Sequence, residues 1–296
     1  MKLFILGASG LLGRELTKKA SLLHDVFSTY NNNNTNLEIP NNSKIKFCFP
    51  DDLENLEKIL VTERPNIVIN LIGKSNLDYC EQNKDTVFKL NVILTEKISN
   101  ICKKINSKMI HISTDLVFDG KDGNYKENDK TNPINYYGYT KQISEKKVLC
   151  NSSNIVIRTS LVYDLELKSS FPKFIFEKLC NGESINAFDD VFTTPILVDE
   201  LSEFILRIIN SNESGIFHIS GNECISRFDF AKLFAKKLGF DEKLIVPCPA
   251  KSIEQKISRP KNSCLNNNKI KDTLEIKFTS IEENLDKLSK NYFRDK

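Results

Sequence analysis

The sequence has no tryptophan, two methionines and three histidines among its 296 residues. Its eight cysteines, Cys48, Cys80, Cys102, Cys150, Cys180, Cys224, Cys248 and Cys264, are scattered and form no CxxC pair. A metal site needs clustered ligands, so no metal is expected. The cysteines read as reduced, partly buried thiols of a reducing compartment. No apolar run approaches the roughly 20 residues that cross a bilayer, so a membrane partner is not expected. No basic tract stands out of a net charge of +3, which removes the usual footprint of a nucleic-acid binder. The start, "MKLFILGASG", is too briefly apolar for a signal peptide and turns straight into glycines. A soluble cytoplasmic protein is the expectation.

What is present is a repeating order of strands and helices. "KLFILG", "VFSTY", "PNIVINLIG", "KMIHIST" and "NIVIRTS" are short apolar runs that read as buried strands. Between them "LLGRELTKKAS", "DDLENLEKILVTE" with an acidic cap, "TVFKLNVILTEKISNICKKI" and a segment from Tyr136 read as helices. This alternation predicts a doubly wound parallel sheet, an α/β Rossmann fold. The later sequence is less regular, with helices at "FPKFIFEKLCNGE", "VDELSEFILRIINS" and "SRFDFAKLFAKKLGF", the last behind a serine cap, and a strand at "GIFHISG". A capping-box start at Thr279 or Ser280 opens a terminal helix, and the asparagine-rich "YNNNNTNLEIPNNS" reads as a solvated loop. Residues 1–160 are expected to form the dinucleotide-binding domain, with part of 186–210 returning to it. Residues 161–296 are expected to form mainly a smaller substrate-binding lobe.

"GASGLLG", Gly7 to Gly13, joins a strand to a helix with glycines in the spacing GxxGxxG. A tight turn, close backbone approach and a helix N-terminus aimed at negative charge are what a dinucleotide pyrophosphate requires. The second strand ends Ser28-Thr29-Tyr30-Asn31, without the acid that would hold both ribose hydroxyls. That favours NADPH, with NADH left open, and Arg14 is placed to help.

"NPINYYGYTKQ" holds three tyrosines before Lys141. Only Tyr137 lies four residues from it and so shares its helix face; Tyr136 and Tyr139 are left packing or rim roles. A nearby ammonium is expected to lower the phenol's pKa toward the working range. "ISTD" ends the preceding strand, where the crevice of such a sheet lies. There Thr114 can bond a substrate carbonyl while Asp115 caps backbone amides.

The glycine loop, "ISTDLVFDG", "YKENDKTNPINYYGYTKQISEKKV", "VIRTSLVY", "DVFTTPILVDEL" and "RPKNSCL" together resemble the dTDP-4-dehydrorhamnose reductase family of extended short-chain dehydrogenases/reductases. The likeness runs from residue 3 to about residue 285. It implies NADPH-dependent reduction of a nucleotide-linked 4-keto-6-deoxy sugar, with Thr114, Tyr137 and Lys141 catalytic. It implies a cofactor site of Gly7, Ser9, Gly10, Leu11, Leu12, Gly13, Arg14, Asn31, Asp51 or Asp52, Leu71, Ile72, Gly73 and Asn91, with Tyr137 and Lys141. Ser113, Thr114, Asp115, Arg259 and Asn262 are implied on the substrate side, and a homodimer is left open. The family's tyrosine after "STD" is Leu116 here, its "SWLYG" is "SLVYD" with Leu161 and Asp164, and Lys74 falls near the cofactor edge. Leu116 also removes the carboxylate that a 4,6-dehydratase would need. An epimerase on the same scaffold is one alternative. A non-catalytic regulatory subunit resembling the methionine adenosyltransferase beta subunit is another.

Overall fold

In β1 (Lys2–Leu6), Leu3 and Ile5 enter one buried cluster while Phe4 and Leu6 enter another. Successive strand residues face opposite ways, so this strand is covered on both sides. The same split recurs at Ile67 and Ile69 against Val68, and at Ile155 and Ile157 against Val156. The computed structural model describes residues 1–31, 44–47, 52–164, 170–252 and 257–294. Most of the asparagine-rich loop, with Cys48 and Asp51, lies outside the described residues.

After β1 come α1 (Leu11–Ala20), β2 (Asp25–Tyr30), β3 (Lys44–Lys46), α2 (Leu53–Glu63) and β4 (Ile67–Asn70). Then follow α3 (Leu77–Gln82), α4 (Lys84–Phe88), α5 (Leu94–Lys104), β5 (Lys108–Thr114), α6 (Tyr136–Leu149) and β6 (Ile155–Thr159). The expected long helix before β5 is α4 and α5 joined by a π-helical turn, Lys89–Ile93. Such turns often mark functional positions, and this one carries Asn91.

Beyond residue 160 the elements are β7 (Val162–Tyr163), α7 (Ser170–Cys180), β8 (Ile185–Phe188), β9 (Phe192–Thr193) and β10 (Ile196–Leu197). They continue as α8 (Val198–Ile209), β11 (Gly215–His218), β12 (Ile225–Ser226), α9 (Arg227–Lys237), β13 (Ile245–Cys248), α10 (Asn268–Leu274) and α11 (Ile281–Arg294). The α9 and α11 caps form as the sequence implies: Ser226 Oγ accepts from Asp229 N at 2.9 Å, and Ser280 and Glu283 cap each other. Asp52 sits at the N-cap of α2 without a side-chain bond to its first turn.

The main sheet is wholly parallel, in the order β11-β6-β5-β4-β1-β2-β3. The winding reverses between β1 and β4, which opens a crevice at the strands' C-terminal ends. A third buried cluster, with Tyr163, Ile185, Phe230, Phe234, Ile245 and Leu285 in it, lies entirely beyond residue 160. It supports the elements that face that crevice from above. No described helix is long and apolar enough to cross a membrane.

Two cysteines depart from the expectation of reduced thiols. Cys224 and Cys264 are joined in a disulfide, with Cα atoms 5.6 Å apart. They are 40 residues apart in sequence, so no spacing could reveal the pair. The fold brings them together because Phe192 pairs with both Ser226 and Asn262. Cys80, Cys102, Cys150, Cys180 and Cys248 are free thiols. Among the described residues no group of acids, histidines and cysteines could hold a metal.

Candidate active site

Two adjoining cavities occupy the crevice, of about 440 and 650 Å³, sharing Gly7, Gly10, Leu71, Ile72 and Gly73. The N-terminus of α1 opens onto them with no acidic residue in its first turn and no side-chain cap. Its free N–H groups and dipole therefore suit an anion. Gly13 has a packing reason: a Cβ there would overlap Gly7 O and lie 2.7 Å from Ala8 Cα. The loop is also pinned from β2, because Gly7 N donates to Thr29 Oγ1 at 3.1 Å and Ala8 N to Thr29 O at 2.9 Å. The substitution Gly13→Ala should push α1 off the loop. A fluorescence titration should show NADPH binding weakened by about tenfold or more, roughly 1.4 kcal/mol.

The larger cavity extends past Ser9, Tyr30, Asn31 and Phe47 to Lys74 and Lys89. No acid lines it among the described residues. Two lysines and no carboxylate fit the 2′-phosphate of NADPH better than a bare ribose. Arg14 and Asp52, both candidates from the sequence, are on neither cavity wall. Asn91 is also behind the wall and fully buried. It accepts from Lys74 N at 2.9 Å and donates to Lys74 O and Thr140 Oγ1, both at 3.1 Å. It thus ties the loop after β4 to α6.

The smaller cavity contains Thr114, Tyr137 and Lys141 together with Leu11, Leu12 and Gly13. Helix α6 is capped by Asn135, whose side chain accepts from Gly138 N at 2.9 Å. Gly138 lets its first turn lie against β5's end, since a Cβ there would overlap Leu116 O. That contact seats Tyr137 on the same cavity wall as Thr114 and Lys141. Tyr136 is held elsewhere, donating to Lys84 O at 3.2 Å, and Tyr139 is exposed.

The electrostatics differ from the spacing's expectation. Burial raises the Tyr137 phenol well above its usual value, and the neighbouring Asp115 carboxylate adds to the rise. Burial also pushes Lys141 down to about 7, opposed by Glu145. Desolvation of the charged form is the largest cause of both shifts.

Asp115 does not cap backbone amides as expected. Its carboxylate accepts from three hydroxyls: Ser263 Oγ at 2.6 Å, Ser160 Oγ at 2.8 Å and Thr114 Oγ1 at 3.0 Å. The amide of Leu116 is taken by Thr114 Oγ1 instead, at 3.2 Å. Burial pulls Asp115 out of the strand-end role and raises its pKa, while the three hydroxyls partly offset the rise. Ser113 lines the cavity, but its hydroxyl turns away to Glu145.

From the "RPKNS" segment, Arg259, Pro260 and Ser263 reach the wall. Asn262 does not. Its side chain packs against Gly123 and accepts from Cys264 N at 3.2 Å, which makes it a loop brace. Arg227, Ser160, Phe188, Val191 and Phe192 are among the further lining residues that were not foreseen as site residues. The Arg227 guanidinium lies 4.8 Å from the centre of the Phe171 ring. Burial draws its pKa down to about 10, against the pull of Asp115. Its only sequence signal is its place behind a helix cap, which many surface arginines share.

Sheet order, glycine loop and the Thr114–Tyr137 pair at the switch point define a dinucleotide-binding protein of the doubly wound α/β class. The family model described as "RmlD substrate binding domain" matches residues 1–293. The chain belongs to this family. It is 27% identical to a probable low-salt glycan biosynthesis reductase, Agl14, of Haloferax volcanii, over 96% of each chain. A solved structure of a hypothetical dTDP-4-dehydrorhamnose reductase from Sulfolobus tokodaii is 32% identical, with a TM-score of 0.84, covering 95% of this chain and 98% of the other. A dTDP-4-dehydrorhamnose reductase from Bacillus anthracis, solved in complex with NADP, shares the fold. Its TM-score is 0.84 and its identity 23%, over 100% of this chain and 99% of the other.

Proposed function

We propose that the chain is an NADPH-dependent reductase of a nucleotide-linked 4-keto-6-deoxy sugar, with dTDP-4-dehydrorhamnose the first substrate to try. The observation that carries this reading is the convergence of Thr114, Tyr137 and Lys141 on one cavity together with the glycine loop. The helix N-terminus at Leu11 and the residues Ser9 to Gly13 would hold the cofactor's pyrophosphate. Lys74 and Lys89 would meet the 2′-phosphate, and Tyr30, Asn31 and Phe47 its adenosine end. Bound NADPH supplies the hydride that reduces the ketone.

The protein's own task is to place the carbonyl and answer the negative charge that develops on its oxygen. Tyr137 gives its phenolic proton to that oxygen. Thr114's one hydroxyl proton goes to Asp115 at 3.0 Å in this structure, so Thr114 serves the ketone oxygen once that proton turns from the carboxylate toward the substrate. Donors set in advance in a dry site stabilise the developing alkoxide more strongly than water would. Lys141, when charged, stabilises the phenolate that Tyr137 becomes. Arg227 and Arg259 supply positive charge on the side where the nucleotide's phosphates enter. Phe188 and Phe192, from the later half of the chain, form an apolar wall suited to a 6-deoxy sugar.

The test is NADPH oxidation followed by absorbance with a panel of nucleotide-linked 4-keto sugars. Turnover should appear with at least one of them, and NADH should serve about tenfold less well. Cofactor binding without turnover of any sugar would instead favour a regulatory subunit. Cofactor that purifies with the protein and stays through the cycle would favour an epimerase.

A further inference from the structure

Lys141 Nζ is buried, and its hydrogen-bond partner is the imidazole of His111, with Nε2 2.9 Å away. The same ring nitrogen lies 3.0 Å from Ser144 Oγ. Ser144 Oγ also lies 2.8 Å from Lys141 O, and when its proton goes there Ser144 offers the ring a lone pair. On the other side of the ring, Nδ1 is 3.4 Å from Asn70 Nδ2. The orientation of that amide is fixed, since Oδ1 accepts from Ile72 N at 3.1 Å and Nδ2 donates to Thr95 Oγ1 at 3.2 Å. Asn70 therefore turns a donor to the imidazole.

A neutral imidazole has one donor nitrogen and one acceptor nitrogen. If Nδ1 accepts from Asn70, then Nε2–H points toward Ser144 and Lys141, and Lys141 can meet it only as a neutral amine. If Lys141 is an ammonium, Nε2 must accept and Nδ1–H must face the Asn70 N–H. One arrangement satisfies the Asn70 side and the other satisfies a charged Lys141. The two protonation states are coupled.

We propose that His111 is a positioning residue, a tautomeric switch that changes state with the charge on Lys141. It thereby sets the pH above which Lys141 no longer supports Tyr137. The inference rests on the role given to Lys141 under the proposed function. The charged groups around the pair come from α6 and β6: Lys141 and Glu145, the latter held by Arg158 at 2.8 Å. The neighbours from β4 and α5, Asn70 and Thr95, carry no charge. His111 itself is kept neutral by burial first and by the Lys141 charge second. The burial that draws Lys141 to about 7 brings its titration into a range where activity can be measured.

The experiment has two arms. The first follows the ring nitrogens of His111 by NMR in wild-type protein from about pH 6 to about pH 9. With three histidines in the chain, the signal is assigned by its loss in His111→Gln. The ring should pass from the Nδ1–H tautomer at low pH to the Nε2–H tautomer at high pH. The midpoint should match the alkaline limb of kcat for ketone reduction. The second arm compares variants. His111→Gln offers Lys141 a fixed acceptor and should move that limb up by about one pH unit. His111→Leu offers none and should move it down by a similar amount. KM for NADPH should stay within about twofold in both. One tautomer throughout, or a limb unmoved in the Gln variant, overturns the proposal. If the Leu variant does not fold, the Gln variant and the tautomer titration still decide. Wild-type protein without turnover would count against the proposed function, and the tautomer titration would still read the switch.

Discussion

Replacing Tyr137 with phenylalanine should lower kcat by about 10²- to 10⁴-fold, the usual worth of a positioned proton donor. KM for NADPH should change little, since the ring stays and only the hydroxyl is lost. Thr114, on the same wall, keeps its bonds to Asp115 and to the Leu116 amide, so the strand end stays in place. The variant should therefore melt within a few degrees of wild type. Steady-state kinetics with the best substrate of the sugar panel, beside a thermal melt, checks both halves. A kcat within about threefold of wild type would remove Tyr137 from the chemistry.

Arg158→Met should be the most damaging single change to stability. Arg158 makes two bonds to Glu145, Nη2 to Oε2 at 2.8 Å and Nε to Oε1 at 3.0 Å, and both side chains are almost wholly buried. Its guanidinium also lies 5.1 Å from the Phe118 ring centre and donates to Glu127 O at 3.2 Å. Removing it leaves Glu145 a buried carboxylate bonded to the Ser113 hydroxyl but to no cation. Breaking such a pair costs about 3–5 kcal/mol, which for a chain this size is a fall in Tm on the order of 10 °C. Changing both partners, Arg158→Met with Glu145→Leu, should recover part of that loss, because the stranded carboxylate is gone while Lys141 loses the Glu145 charge that favours its ammonium. Equal destabilisation in the single and double variants would show that packing rather than charge dominates. Urea unfolding of the three proteins makes the comparison.

The sheet was legible because its strands are long enough to carry a pattern. Runs such as "KLFIL" and "IVIRT" are apolar throughout, as strands covered on both faces must be. The glycine loop and the Tyr137–Lys141 spacing were legible because each is local: a turn before a helix, and two side chains one turn apart. The elements that close the site were not. β7, β9, β10 and β12 have two residues each, too few for any periodicity. Arg227, Ser160, Ser263 and the Cys224–Cys264 bond come together only through pairings made over long separations in sequence. Asn262 was misplaced for the same reason: the segment reaches the cleft, but which of its side chains turn inward depends on Gly123 and Cys264. That Tyr137 and Lys141 share a cavity wall was readable while their electrostatics were not, because burial depends on the whole fold.

The most direct test of the central claim is isotopic. NADPH deuterated at the nicotinamide C4 position is incubated with the protein and the 4-keto nucleotide sugar on which it shows turnover, and the product is examined by NMR and mass spectrometry. The account predicts one deuterium, bound to the sugar carbon that was the ketone, with a hydroxyl on that carbon and an equivalent of NADP⁺ formed. A product without deuterium, or with deuterium at any other carbon, would contradict it.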